Sequence, residues 1–162
     1  MASKEKVFDA MWTKLNFLVG SWRGAGTGQP GLSQVERSYQ FILNGKFLEV
    51  RSKSTYSPQP QNPKGEVHEE LGLISYDSLR KTFVFRQFHK EGFVNQYVLD
   101  QALPDGQAIV FTTETIENIP AGWRARETYQ VVNADEFTEI FELAAPGKNF
   151  ATYSRSQLRR VL

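Results

Sequence analysis

From residue 20 onward the chain keeps a two-residue alternation, broken by turn signals about every ten residues, and this limits its folds more than any other feature. The breaks are Asn44-Gly45, the proline-rich stretch 57–65 (SPQPQNPKG), Asp77–Arg80, Lys90–Gly92, Pro104-Asp105-Gly106, Pro120–Gly122, Asn133–Asp135 and Pro146-Gly147. Between them lie about ten runs rich in Val, Ile, Thr, Phe and Tyr. They fall near 20–28, 34–42, 47–56, 66–76, 82–89, 93–101, 107–116, 123–132, 136–143 and 149–160. Connections this short join antiparallel neighbours, because parallel strands need a crossover of roughly a dozen residues or more. A meander of that many strands leaves long edges unless the sheet closes. The expectation is therefore an all-β, up-and-down antiparallel barrel of about ten strands, with 57–65 as a mobile loop.

Ahead of the strands, residues 4–19 carry a different period. Val7, Met11, Leu15 and Leu18 fall on one helical face with Phe8 and Trp12 beside them, which predicts an N-terminal helix plugging or flanking one barrel end. No linker or low-complexity tract interrupts the chain, so residues 1–162 read as one domain, helix 4–19 and barrel 20–160. A chain of 162 residues can bury a core without covalent staples. It has no cysteine, which excludes disulfides, thiolate metal sites and a cysteine nucleophile, and suits a reducing compartment. The 19 Lys and Arg against 18 Asp and Glu leave a net charge of +1, which removes the clustered basic surplus that nucleic acid requires. No apolar run approaches the roughly 18 residues of a membrane span, and the first residues lack the continuous apolar centre of a secretory leader. The expectation is a cytoplasmic protein with no membrane span. The two histidines, His68 and His89, are too few for a multi-histidine metal centre. His68 and Glu70 share a strand face but lack a third ligand, so both histidines read as ordinary surface residues.

The stretch Gly20–Gly31, GSWRGAGTGQPG, contains G-T-G-Q-P-G, which fits the G-x-G-x-x-G of a dinucleotide-binding loop. That chemistry needs a helix opening on the last glycine, inside a parallel βαβ unit. Here Pro30 interrupts, and the following residues alternate as a strand, with Val35, Arg37, Tyr39 and Phe41 against Glu36, Ser38 and Gln40. The glycines belong to a strand, on which Trp22, Gly24, Gly26 and Gly28 point to one side. They leave either an empty stripe along the barrel wall, reserved for a ligand, or freedom for a sharp bend.

The string Gly20-Ser21-Trp22-Arg23-Gly24-Ala25-Gly26-Thr27-Gly28 resembles the G-x-W-x-G-x-G-x-G opening of nitrobindin-like haem-binding barrels. These are relatives in architecture of lipocalins and fatty-acid-binding proteins (calycins). The resemblance implies an arginine of the last strand packed across Trp22, at Arg159 or, failing it, Arg160. It implies a homodimer through an exposed strand face. It also implies a ferric haem held by a last-strand histidine, but the matching string Tyr153-Ser154-Arg155-Ser156-Gln157-Leu158-Arg159-Arg160 has Tyr153 at that position. Tyrosine ligates haem only when ionised and in only some proteins, so Tyr153 is expected to pack in the barrel without iron.

Parity gives an inward set of Tyr39, Phe41, Val50, Phe85, Tyr97, Phe111, Thr113, Tyr129 and Phe141, interleaved with Arg37, Gln87, Asn95, Glu127 and Glu139. An apolar lining with a few polar groups suits a small-molecule site. The ligand-binding candidates are Trp22, Gly24, Gly26, Arg37, Tyr39, Phe85, Gln87, Tyr97, Thr113, Glu127, Tyr129, Tyr153 and Arg155. In fatty-acid-binding proteins Arg and Tyr on late strands hold a carboxylate. By that resemblance Tyr153 and Arg155, at i and i+2, with Arg124 and Arg126 nearby, imply an anionic amphipathic ligand. Catalysis has little to draw on. No G-x-S-x-G occurs, and Glu69 and Glu70 point to opposite faces. The expected function is binding or carriage of a small hydrophobic or amphipathic molecule without catalysis. The alternatives are a haem protein acting on nitrogen oxides and an isomerase using Glu127 or Glu139 as general base.

Overall fold

The computed structural model describes residues 11–100 and 107–162. Among these residues ten strands form: β1 (Gly20–Gly28), β2 (Ser33–Ile42), β3 (Phe47–Tyr56), β4 (Glu66–Asp77), β5 (Thr82–His89), β6 (Val94–Leu99), β7 (Ala108–Glu117), β8 (Arg124–Asn133), β9 (Glu136–Ala144) and β10 (Ala151–Arg160). Each pairs antiparallel with the next, and β10 returns to β1, so the sheet is a closed barrel. The alternation sets each wall. On β2, Ser33, Val35, Arg37 and Tyr39 are buried, while Gln34, Glu36 and Gln40 face water.

Strands that alternate in direction sort the interior by depth. One end collects the starts of odd strands and the ends of even ones, which carry large apolar groups: Trp22, Leu48, Phe83 and Phe137 with Tyr39, Ile74, Tyr129 and Leu158, all buried. The other end collects polar groups, including Ser33, Gln87, Glu127 and Ser156. The sequence thus builds an apolar floor and a polar mouth.

The floor is sealed from outside the sheet. The helix expected over 4–19 is, from residue 11 on, two short 3-10 turns, Trp12–Lys14 and Asn16–Leu18; residues 4–10 of that expectation lie outside the described residues. Trp12, Leu15 and Leu18 recur every three residues, the period that stacks side chains on one face of a 3-10 turn. The backbone closes accordingly, Leu15 N–H donating to the Trp12 carbonyl at 2.8 Å and Leu18 N–H to Leu15 at 3.0 Å. All three side chains are buried in the floor, where Trp12 meets Phe41 edge-on with ring centroids 5.0 Å apart. Burial of this triplet decides the local conformation.

The arginine across Trp22 is Arg160, its guanidinium carbon 4.4 Å from the ring centroid. Arg159 points outward to Glu136. Arg160 also donates to the carbonyls of Phe17, Val19 and Ala134 at 2.5, 2.6 and 2.9 Å and to Asp135 Oδ1 at 2.9 Å. Trp22 Nε1–H donates to the Leu18 carbonyl at 2.7 Å. One side chain thus ties the capping turns, the β8–β9 turn and the β1–β10 seam together. Arg160→Ala is expected to lower stability by about 2–3 kcal/mol in urea unfolding. Arg160→Lys should recover little, since an ammonium cannot span the same acceptors and ring.

The 57–65 segment is not a loose loop. Gln59 and Asn62 exchange backbone hydrogen bonds at 2.9 and 3.0 Å. The Gln59 side chain accepts from Leu32 N–H at 2.7 Å and donates to the Leu32 carbonyl at 2.8 Å, fastening the segment to the β1–β2 turn. The turn signal Pro104-Asp105-Gly106 lies outside the described residues. No helix among the described residues is long and apolar enough to cross a membrane.

Candidate functional site: a polar cavity at the barrel mouth

At the polar end the side chains leave a cavity of about 380 Å³. Its apolar contributors are Pro30, Tyr56, Phe93, Phe141 and Tyr153. Its polar wall includes Arg37, Glu70, Gln87, Glu127, Glu139 and the two histidines. A larger recess of about 820 Å³ lies across β1–β5 and has charges of both signs on its rim, among them Arg23, Glu36, Arg51, Lys53, Glu69 and Lys90. Arg37, Glu70 and His89 line both, and the mouth cavity adds the buried Gln87, Glu127 and Glu139.

Its deepest feature is an ion pair. Arg37 on β2 and Glu139 on β9 meet across the interior, their side chains only 5% and 11% exposed. Arg37 Nη1 donates to Glu139 Oε2 and Nη2 donates to Oε1 at 3.2 Å; Arg37 Nε also donates to Ser52 Oγ at 3.0 Å. Burial opposes the Arg37 charge, but the facing carboxylate outweighs it and holds the guanidinium protonated. Tyr39, below it, is pushed up to about 12 chiefly by burial.

A second network centres on Gln87 of β5. Its amide nitrogen donates to Glu70 Oε2 and, at 3.2 Å, to Glu127 Oε1. Its oxygen accepts from Tyr97 Oη at 3.2 Å and Asn95 Nδ2 at 3.4 Å, and Tyr129 Oη donates to Glu127 Oε2 at 2.9 Å. Burial raises the Glu127 carboxyl well above the usual range, with Glu139 and Glu70 adding to the effect. Glu70 is pushed up to about 7, again chiefly by burial, with Arg37 opposing and Glu139 reinforcing. These carboxyls sit where a proton, a hydrogen-bonding ligand or a cation is favoured.

Of the sequence candidates, Gly26, Arg37, Gln87, Glu127 and Tyr153 reach the cavity wall. Trp22, Tyr39, Phe85, Tyr97 and Tyr129 are buried in the packed core. Thr113 Oγ1 accepts from Ala125 N–H at 2.9 Å and joins β7 to β8. Arg155 does not share a face with Tyr153. The β9–β10 register shifts between Thr152 and Ser154, so Tyr153 lines the mouth while Arg155 is exposed outside. Arg124 and Arg126 are likewise outside, packed over Phe150 at 4.9 and 4.3 Å.

The empty stripe is also not there. A Cβ on Gly24 would overlap the backbone carbonyl of Gln157, and one on Gly26 would overlap Ser33 Oγ. At Gly24 the missing side chain lets the β10 backbone approach and the space is filled, whereas Gly26 lines the cavity with the Ser33 hydroxyl standing where its Cβ would be.

The two histidines are not the ordinary surface residues expected from the sequence: both line the cavity. Glu70 pairs with His89 across β4–β5, and His68 follows the same face, so the rings meet at the mouth with centroids 5.4 Å apart. His89 stacks on Phe93 at 3.9 Å and is held down to about 4, chiefly by burial. The signal available was parity: His68 and Glu70 share phase with Gly72 and Ile74, whose burial marks the inner face.

No protein-family model matches the sequence, and no curated protein is similar enough to it to count as a relative. Solved structures do match. The chain superposes on the crystal structure of Rv2717c from M. tuberculosis with a TM-score of 0.69 at 18% identity, covering 94% of this chain and 98% of that one. The fold is shared. A de novo designed fluorescence-activating β-barrel aligns less closely, with a TM-score of 0.47 at 16% identity over 90% of this chain and 95% of the design.

The surroundings of Tyr153 do not fit an iron ligand. Haem ligation requires the phenolate, whereas burial and Glu66 push this phenol upward. Its ring sits edge-on to Phe141 at 5.8 Å, and Arg155 points away.

Proposed function

We propose that this barrel binds a small amphipathic molecule, neutral or cationic, in its mouth cavity and carries or senses it without transforming it. One observation carries the reading. The described lining includes three carboxyl groups that converge through the ion-pair and Gln87 networks, Glu70, Glu127 and Glu139, and one guanidinium, which is already paired with Glu139. An entering anion would meet the carboxyls with no free cation to receive it. A neutral ligand can accept from a protonated carboxyl, and a cation would recover the cost of ionising one. The aromatic rim of Phe93, Phe141, Tyr56 and Tyr153 suits the apolar part. The anionic ligand implied by the fatty-acid-binding resemblance draws no support from Arg124, Arg126 and Arg155, all turned outward. Glu139, held by Arg37, and Glu127, held by Tyr129 and Gln87, are engaged in ways that support binding rather than proton abstraction.

The test is a fluorescence titration with naphthylmethylamine in the presence of chelator. Ser54, at the cavity rim, is replaced by tryptophan to fill the space. Ser54→Trp is expected to weaken binding by at least about tenfold. Equal binding by the variant would place the dye elsewhere and sink the reading.

A further inference from the structure

The hydrogen bonds around the two histidines determine which ring nitrogens carry protons. Gln87 turns its amide nitrogen to Glu70 and Glu127, so its oxygen is left to accept, and His89 Nε2 lies 3.1 Å from that oxygen. Asn95 Nδ2, also 3.4 Å from His89 Nε2, has Gln87 Oε1 and Tyr97 Oη to receive its own protons, so the arrangement is satisfied when His89 donates from Nε2 and leaves Nδ1 bare. His68 Nδ1 lies 2.8 Å from Glu91 Oε1 and donates to it, which leaves His68 Nε2 bare. The two bare nitrogens face each other at 3.3 Å. Lone pairs that close repel unless a proton or a cation lies between them. Two nitrogens bound at about 2.0–2.1 Å to one tetrahedral zinc ion are themselves about 3.3–3.4 Å apart.

Carboxylates flank this gap on both sides. Glu70 Oε2 is 3.8 Å from His89 Nδ1, from within the cavity. Glu91, on the β5–β6 turn, backs His68 from outside, and donor atoms of His68, His89 and Glu91 all lie within 4.8 Å of one another. A carboxylate accepting from the far N–H of a ligating imidazole is the usual support that fixes a metal-binding histidine. Phe93, stacked 15° from parallel on His89, holds the second ring in place.

We infer that the barrel mouth is a binding site for one divalent transition-metal ion of the zinc class, held between His68 Nε2 and His89 Nδ1 with Glu91 orienting His68, and completed by Glu70, which would turn from its place 3.8 Å from His89 and its hydrogen bond with Gln87 toward the ion. Imidazole and carboxylate donors select such ions over magnesium or calcium, which prefer all-oxygen sites. Three protein ligands leave a fourth position open, which water or a donor atom of a cavity ligand can take. The inference goes beyond the binding role proposed above and is tested without any organic ligand, so either can fail alone.

The experiment uses the full-length chain without an affinity tag, stripped with chelator and titrated with Co(II), then with Zn(II). The expected result is one cobalt per chain with the intense visible bands of a four- or five-coordinate site, bleached by one equivalent of zinc. His68→Gln and His89→Gln should each weaken zinc binding by at least about 100-fold, and Glu91→Gln by about 10–100-fold. His68, at the rim and 24% exposed, gives the variant least able to disturb folding, checked by circular dichroism. Zinc should raise the thermal midpoint of the wild type but not of His68→Gln. No metal uptake at micromolar cobalt or zinc, or uptake unchanged in His68→Gln, would overturn the assignment.

Discussion

Arg37→Met is expected to destabilise the barrel by about 3–5 kcal/mol, close to the whole margin of many single domains. The substitution removes the cation that faces Glu139 and leaves that carboxylate, 11% exposed, inside a wall that already holds Glu70 and Glu127. It also takes away the hydrogen bond Arg37 gives to Ser52 at 3.0 Å. The double variant Arg37→Met/Glu139→Leu should regain most of the loss. A buried ion pair replaced whole by apolar groups of similar volume is often neutral or stabilising, whereas half a pair is not. Urea unfolding of the four proteins gives the comparison directly, with a constant slope showing that each still unfolds as one unit. If Arg37→Met alone loses less than about 1 kcal/mol, the pair is not the anchor between β2 and β9 described above.

Gly24→Val has the second large effect, and it decides what the glycines of β1 are for. Any side chain at Gly24 would drive into the Gln157 carbonyl on the seam that closes the barrel, where Gly24 pairs with Leu158. A backbone atom cannot swing aside, so the strands must part, and a loss at or above about 3 kcal/mol is expected. At Gly26 the obstacles are the hydroxyls of Ser33 and Ser156, which can rotate, so Gly26→Ala should cost only about 1 kcal/mol. A stripe kept empty for a ligand predicts the opposite. Gly24→Val would then leave stability alone and reduce binding. Thermal unfolding and dye binding of the same variant separate the two.

Gly24, expected beside an empty stripe and found against the backbone of β10, shows which information the sequence holds. Period-two alternation and turn residues are local signals, so the strands and the inward parity of Arg37, Gln87, Glu127 and Glu139 are legible in the sequence alone. What occupies the space opposite a residue is not local. The backbone of β10 lies against Gly24 only because the barrel closes. One inserted position at Tyr153 is enough to turn Arg155 from the expected inner face to the outside, and a sequence does not print its bulges. Trp12, Leu15 and Leu18 carry both a three- and a four-residue spacing with their neighbours, and packing into the floor selects the former. His68 and His89, 21 positions apart, become neighbours only through the β4–β5 register. The choice of Arg160 over Arg159 follows from parity with Leu158, which is buried. That signal was in the sequence, and it required knowing the face of β10.

The charge preference of the mouth cavity is the most direct test of the binding role. Naphthylmethylamine and naphthylacetate share a ring and differ in the sign of their charge. Titrated separately into the full chain with chelator present, the cation is expected to bind at least about tenfold more tightly than the anion. The Ser54→Trp variant should lose that difference. Tighter binding of the anion would contradict the account, because Arg37 would then be free to receive it and the carboxyl wall would not govern the site.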